Sequence, residues 1–332
     1  MNDNQDIRTD EEKPRFASMT FDELALLPLC GIPAYRAVRT CIDAFPRDNC
    51  LTGGVDGTTS GYAHSALSQR RRALVLRGHD GVGAMAVQML VRQGWSVSAH
   101  VPFSRVPWDA TQAEADRFMF AIENHLKKWG VDEVVYDDGI RYANWDEEVD
   151  DRKAAVVRVI ETLRGDGDVF DAVLDFVGGK EIREASERLL KLNGFPATNG
   201  VGLFTTLLGD SPDIPISTPD NFYPNSSTLT LRDPQSNEEE PSRPPQSEVK
   251  REVKYIWVNS GLFDKEIWDI LGFVLQLAQN DGVRPQVEEV GGDIFGRRRL
   301  VSLERACDAL VNGDLLSDGG TVLVQVAGCT NN

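Results

Sequence analysis

The sequence predicts an α/β fold: a doubly wound parallel sheet of Rossmann type, with a disordered insertion and a short C-terminal α/β completion. Three observations carry that reading. From Ala73 onward, short apolar runs alternate with amphipathic stretches of helical period, the pattern of β-α units around a parallel sheet. A glycine-rich turn, "LRGHDGVGAMAVQ" (76–88), stands between the first of these strands and the first of these helices. Around 209–250 the chain is rich in Pro, Ser, Asp and Glu, with too few apolar residues to offset ordering entropy.

The elements follow in order. Residues 1–17 read as a disordered tail and 18–50 as a helical lead-in. Thr20 and Glu23 have capping-box spacing ahead of an apolar run from Leu24 to Leu27. Pro28 is expected to interrupt that helix, and Pro33 suits the first turn of a second. Residues 51–72 have the Gly, Ser and Thr content of a flexible loop. A dinucleotide-binding core at 73–208 opens with the strand "ALVL" and a helix from Val82 to Gln93, stopped by Gly94. "WSVSAHV", "DEVVY" and "VFDAVLDFVGG" read as further strands, and "FPATNGV" as a weaker one, with helices between them. After the insertion (209–251), residues 252–332 complete the domain. They supply the strand "VKYIWV", a helix bearing Ile267, Ile270, Leu271, Val274 and Ala278, a helix capped by Ser302, and the strand "TVLVQV".

Composition excludes several classes. The 332 residues carry a net charge of -17, which disfavours a nucleic-acid backbone as partner. No run approaches the ~18 apolar residues of a membrane span. The acidic start "MNDNQDIRTDEEKPRF" has neither the apolar core of a secretory signal nor the character of a transit peptide. The five cysteines form no C-x-x-C pair, so neither a zinc ribbon nor a disulfide framework is indicated and a reducing, cytoplasmic setting is expected. His64, His79, His100 and His125 lack metal-ligand spacing and read as surface or packing residues. No Tyr-x-x-x-Lys dyad, G-x-S-x-G elbow or H-E-x-x-H motif occurs.

The glycine turn carries the chemistry. A dinucleotide turn needs one small residue for the tight bend, one for backbone approach to the pyrophosphate and one for close helix–strand packing. Gly78, Gly81, Gly83 and Ala86 allow two registers: Gly78-x-Asp80-x-x-Gly83, or Gly81-x-Gly83-x-x-Ala86. An NAD site usually adds an acid at the end of the second strand, about 20 residues on. Here no acid follows that strand before Asp109, whereas Ser104 and Arg105 suit a 2′-phosphate, so NADP is favoured over NAD. Asp80 at the approach position is expected to weaken binding of the anion.

The pieces "TFDELALLPLCGIPAYRAVRTC", "ALVLRGHDGVGAMAVQML", "KKWGVDEVVYDDG", "VFDAVLDFVGG", "ERLLKLNG" and "GDLLSDGGTVLVQV" occur in an order that resembles the zinc-independent medium-chain dehydrogenases/reductases, quinone oxidoreductase-like branch. The resemblance covers roughly 20–326, apart from the loop and the insertion. It implies NADPH as cofactor, no zinc, and a small quinone or enone substrate. It places Gly78, Gly81, Val82 and Gly83 at the pyrophosphate, and Ser104 and Arg105 at the adenosine phosphate. Phe176, Val177, Asn199, Gly200 and Val201 fall on the nicotinamide side. It also implies a homodimer through the strand bearing Tyr255, Ile256 and Trp257. The family's amino-terminal barrel-like domain is expected to be lacking, and Cys30, at a zinc-ligand position of other relatives, is expected to be a packing residue. Two readings stay open: an NADPH-dependent reductase, or a catalytically weak relative serving as a nucleotide-binding or protein-interaction module.

Overall fold

A computed structural model describes residues 19–45, 70–103, 106, 110–137, 151–192, 201–207, 252–258, 266–286, 300–302 and 323–325. The expected tail, most of the loop at 51–72, the insertion at 209–251 and the helix expected after Ser302 lie outside the described residues. The lead-in comprises α1 (Phe21–Leu26), a π-helical turn (Leu27–Gly31) and α2 (Ile32–Ala44). The β-α units follow as β1 (Arg72–Val75), α3 (Gly81–Arg92), β2 (Ser96–Val101), α4 (Gln112–Trp129) and β3 (Glu133–Tyr136). Next come α5 (Asp151–Gly165), β4 (Ala172–Asp175), α6 (Lys180–Leu190), β5 (Val201–Thr206), β6 (Glu252–Trp257) and α7 (Ile267–Asn280). Two short strands, β7 (Leu300–Ser302) and β8 (Leu323–Gln325), close the described chain.

Six strands pair in parallel in the order β3-β2-β1-β4-β5-β6. This is the doubly wound order, with its switch point between β1 and β4. Burial on both sheet faces explains why the strands read as continuous apolar runs. Along β1, Ala73 and Val75 pack toward α2, α3, α4 and α7, whereas Leu74 packs the other way, onto α5 and α6. On that second face Val156, Val159, Ile160 and Leu163 of α5 meet Ile182, Ala185, Leu189 and Leu190 of α6. At α4, Thr111 and Glu114 form a capping box and Gly130, at φ 89°, ends the helix.

The lead-in differs from expectation at Pro28. The helix is not interrupted there; it passes through the π-helical turn into α2. A proline lacks only its own N–H, and the wider turn accommodates that loss while Leu26, Leu27 and Cys30 stay buried. Cys30 is therefore a packing residue, as is Cys41, whose thiol burial pushes up to about 12 despite a hydrogen bond with Thr40. Two polar contacts lock the lead-in to the sheet layer. Gln88 of α3 exchanges hydrogen bonds with the backbone of Arg284 (2.9 and 3.0 Å), and the Arg284 guanidinium reaches Glu23 at 3.2 Å. Glu23 also closes the capping box on the Thr20 N–H at 2.7 Å.

Other boundaries shift. β5 runs from Val201 to Thr206, and residues 195–200 of the strand expected at 195–201 lie outside the described residues. The run "VGLFTT" has the apolar and β-branched residues that a buried central strand needs. β4 is shorter than "VFDAVLDFVGG" suggested, because the Asp175 carboxylate folds the chain back by accepting the N–H groups of Val177 and Gly178 (2.9 and 3.0 Å). β6 and α7 complete the main layer as expected, but β7 and β8 pair with each other as a separate two-stranded parallel sheet.

Candidate functional site: the glycine turn at the switch point

In a parallel sheet of this order, ligands bind outside the carboxyl ends of the strands at the switch point. β1 reaches that edge with Leu76, whose N–H donates to Leu174 O of β4 at 2.9 Å. The chain then bends sharply. Arg77 adopts φ 63°, a left-handed conformation unusual for a residue with a side chain. Gly78 donates its N–H to His100 O at 2.9 Å, and there is no room for a side chain there. A Cβ on Gly78 would lie 2.9 Å from the Ala99 Cβ and 3.1 Å from Val75 O.

Gly83, in the first turn of α3, is more constrained still. A Cβ there would stand 2.0 Å from Arg77 O and 3.1 Å from the Gly78 Cα. Gly83 is therefore the close-packing residue that seats the helix on the turn, and Gly78 makes the tight bend. Of the two registers that the sequence allows, Gly78-x-Asp80-x-x-Gly83 accounts for both contacts, which puts Asp80 at the approach position. Gly81 differs from its neighbours. It has φ 52° and open space where a side chain would be, with no atom within 4 Å.

Asp80 is the N-cap of α3, buried, with its carboxylate accepting the Gly81 N–H. A carboxylate at a helix start stabilises the helix against both its unpaired N–H groups and its dipole. The same location attracts phosphate. The N–H groups of Val82 and Gly83, also in the first turn, have no helix carbonyl four residues back. Those two donors and the free space beside Gly81 are what this turn can offer an anion, against the standing charge of Asp80.

Around the turn, the strand ends supply the rest of the crevice. After β4, Phe176 is buried and Val177 half-buried; Gly178 and Gly179 take φ 80° and 132°. The Asp175 carboxylate holds this bend and also accepts the Thr206 hydroxyl at 3.3 Å. Gly78, Gly81, Val82, Gly83, Phe176 and Val177 thus gather at the carboxyl edge of β1 and β4. Val201 does not join them. It is the first residue of β5, paired with Glu252 at the opposite edge, and Thr206 and Leu207 occupy the carboxyl end of that strand instead. β5 runs onward from Val201 to Thr206 instead of ending at Val201, which is the reason. Ser104, Arg105, Asn199 and Gly200 lie outside the described residues.

Sequence reasoning missed the pair His100 and Asp137. Both are buried at the ends of β2 and β3, with Nε2 of His100 3.3 Å from Asp137 Oδ2. The one available signal was a histidine about 20 residues after the turn, where a ribose-binding acid is usually sought. His125 is elsewhere, edge-on to Trp129 in α4; burial and then the nearby Lys128 charge hold its imidazole below the ordinary range. A surface cleft lined by Tyr35, Arg39, Glu266, Asp269, Ile270 and Phe273 lies between α2 and α7 and includes no strand-end residue. Among the described residues no group of three or more His, Cys, Asp or Glu could hold a metal, and no helix is long and apolar enough to cross a membrane.

No protein-family model matches the chain, and no curated protein matches it. It is similar to several solved structures. CurK enoyl reductase shares 15% identity over 93% of this chain and 64% of that one, with TM-score 0.49. The quinone oxidoreductase of Thermus thermophilus, studied also in complex with NADPH, shares 15% over 93% and 68%, with TM-score 0.44. Bacillus subtilis protein yhfP, solved with NAD bound, shares 15% over 94% and 65%, with TM-score 0.42. The chain spans 58% of the length of a further match, AibC.

The helix–turn contact has a direct consequence. Gly83→Ala should destabilise the fold by at least the ~1–3 kcal/mol typical of overpacking, because the obstructing atom is backbone and cannot rotate away. Urea denaturation followed by circular dichroism measures it; an unchanged midpoint would refute the close-packing role.

Proposed function

We propose that this chain is an oxidoreductase that binds NADPH across the glycine turn and transfers hydride to a small quinone or enone. The observation that carries the reading is the turn itself. A tight bend at Gly78, a helix seated by Gly83 and free space beside Gly81 lie together at the switch point of a doubly wound sheet. The hydride chemistry belongs to the cofactor. Gly81, Val82 and Gly83 would hold its pyrophosphate, and Phe176 and Val177 would border the reacting ring. Preference for NADPH over NADH rests on Ser104 and Arg105, a hydroxyl and a guanidinium suited to a 2′-phosphate. The unpaired cysteine spacings favour a cytoplasmic setting.

Asp80 supports a second reading, a nucleotide-binding or interaction module with weak or no turnover. Its carboxylate takes the first helix N–H for itself. At ~4 Å from a pyrophosphate charge it costs about 1 kcal/mol in watery surroundings and about 4 kcal/mol at an effective dielectric near 20. At ~1.4 kcal/mol per decade, that is roughly one to three decades of affinity.

Wild type should therefore bind NADPH weakly, and Asp80→Gly should tighten binding by about one to three decades. Asp80→Asn, which removes charge but keeps bulk, should tighten it less. Glycine in place of a capping aspartate costs the helix only a few tenths of a kcal/mol. Titration calorimetry decides, and an Asp80→Gly protein with unchanged affinity would remove the cofactor from this turn. Turnover is tested separately: NADPH oxidation against a panel of quinones and enones should exceed that of heat-inactivated protein, and equal rates would leave the binding-module reading. We also propose a homodimer through β6, the edge of the six-stranded sheet among the described residues. Light scattering at micromolar concentration should give twice the mass of one chain, and a monomer mass would overturn it.

A further inference from the structure

We infer that His100, backed by Asp137, is the positioning residue that sets the pyrophosphate turn and the segment after β2 in a common register; the inference rests on the nucleotide reading of that turn. The two side chains are almost fully buried, at 1% and 4% exposure. His100 binds the turn twice. Its carbonyl accepts the Gly78 N–H at 2.9 Å, and its Nδ1 accepts the Arg77 N–H at 3.2 Å. Nδ1 is thus an acceptor, so the ring proton sits on Nε2 and is directed at Asp137 Oδ2, 3.3 Å away. The other oxygen of Asp137 accepts the Phe103 N–H at 2.7 Å, two residues beyond the end of β2. One imidazole therefore joins the turn after β1 to the end of β3, and through that carboxylate to the chain leaving β2.

The link matters because Arg77 stands at φ 63°. A left-handed residue with a side chain persists only where its surroundings hold it. His100 supplies the acceptor that makes this conformation useful. It turns the N–H groups of Arg77 and Gly78 inward to the sheet, and the chain then climbs to present those of Val82 and Gly83 at the helix start. Without Nδ1 as an acceptor, the turn loses one of its two anchors at the point where it must hold shape against an incoming anion.

Two substitutions separate the two ends of the imidazole. In His100→Asn the amide oxygen replaces Nδ1 and keeps the Arg77 bond, but the shorter side chain cannot reach Asp137. In His100→Gln the terminal amide replaces Nε2 and keeps Asp137, but leaves Arg77 without its acceptor. Losing one such bond corresponds to about tenfold, so His100→Gln should weaken NADPH by about tenfold and His100→Asn by no more than about threefold. Amide exchange in the nucleotide-free protein should show Arg77 faster in His100→Gln and Phe103 faster in His100→Asn.

Asp137→Asn provides an independent arm should the histidine variants fail to fold. With its oxygen kept by Phe103, its amide nitrogen faces Nε2, which must then accept; the ring proton moves to Nδ1 and confronts the Arg77 N–H. Asp137→Asn should therefore weaken NADPH as His100→Gln does. Calorimetric titration with NADPH, melting temperatures and hydrogen exchange on wild type and the three variants give the test. Equal NADPH affinities in wild type, Asn and Gln variants, or losses that track melting temperature alone, would overturn the positioning role while leaving the nucleotide reading intact. A wild-type protein that binds no NADPH would overturn the nucleotide reading and with it the positioning role, while exchange at Arg77 would still show whether His100 anchors the turn.

Discussion

Helix α3 meets the end of β1 so closely that a single added methyl at Gly83 would overlap the carbonyl of Arg77, 2.0 Å away. Most of what distinguishes this structure depends on that contact. It fixes the height at which the helix starts, and hence where its first N–H groups emerge relative to the strand ends. It requires a bend tight enough to bring Arg77 into left-handed backbone and to leave no space for a side chain at Gly78. It also brings Met85, Ala86 and Met89 of α3 into the core, against which the lead-in helices pack. The same approach that closes the core therefore builds the crevice edge.

Stability and binding compete at one residue of this turn. Asp80 stabilises the helix start by satisfying the first N–H and by placing negative charge at the positive end of the dipole. An incoming phosphate would use the same features. The aspartate acts in effect as a tethered anion, and its burial means that it does not simply turn away into solvent. A site of this kind trades affinity for a well-formed helix start in the absence of ligand. Asp175 performs the analogous structural task after β4, folding back onto Val177 and Gly178, but it does so beneath the bend rather than at its mouth.

Buried polar groups elsewhere specify how the layers meet. The paired hydrogen bonds between Gln88 and the Arg284 backbone, with Glu23 closing on the guanidinium, tie α1, α3 and the segment after α7 into one contact. Each group is partnered, so the burial carries little penalty while misalignment would strand several of them. His100 and Asp137 do the same at the strand ends, joining β2 and β3 to the turn.

Local chemistry in the sequence by itself determined the β-α alternation, the helix start at Thr20, and the glycine turn between β1 and α3. Those features depend on residues within a few positions of one another, through helical periodicity, caps and the steric freedom of glycine. That a tight turn stands here was legible from its small residues, but which of the glycines are crowded was not. What neighbours in space supply was not legible. Pro28 continues the lead-in through a π turn because Leu26, Leu27 and Cys30 are buried in the shared core. β5 continues past Val201 to Thr206 rather than ending at Val201, because pairing along β4 and β6 selects a segment that can be buried on both faces. That shift carries Val201 to the wrong edge of the sheet and brings Thr206 to the crevice. The choice between two glycine registers, and the joining of His100 to Asp137 across 37 positions, were decided by tertiary structure alone, since each depends on distances between strands that no local pattern encodes.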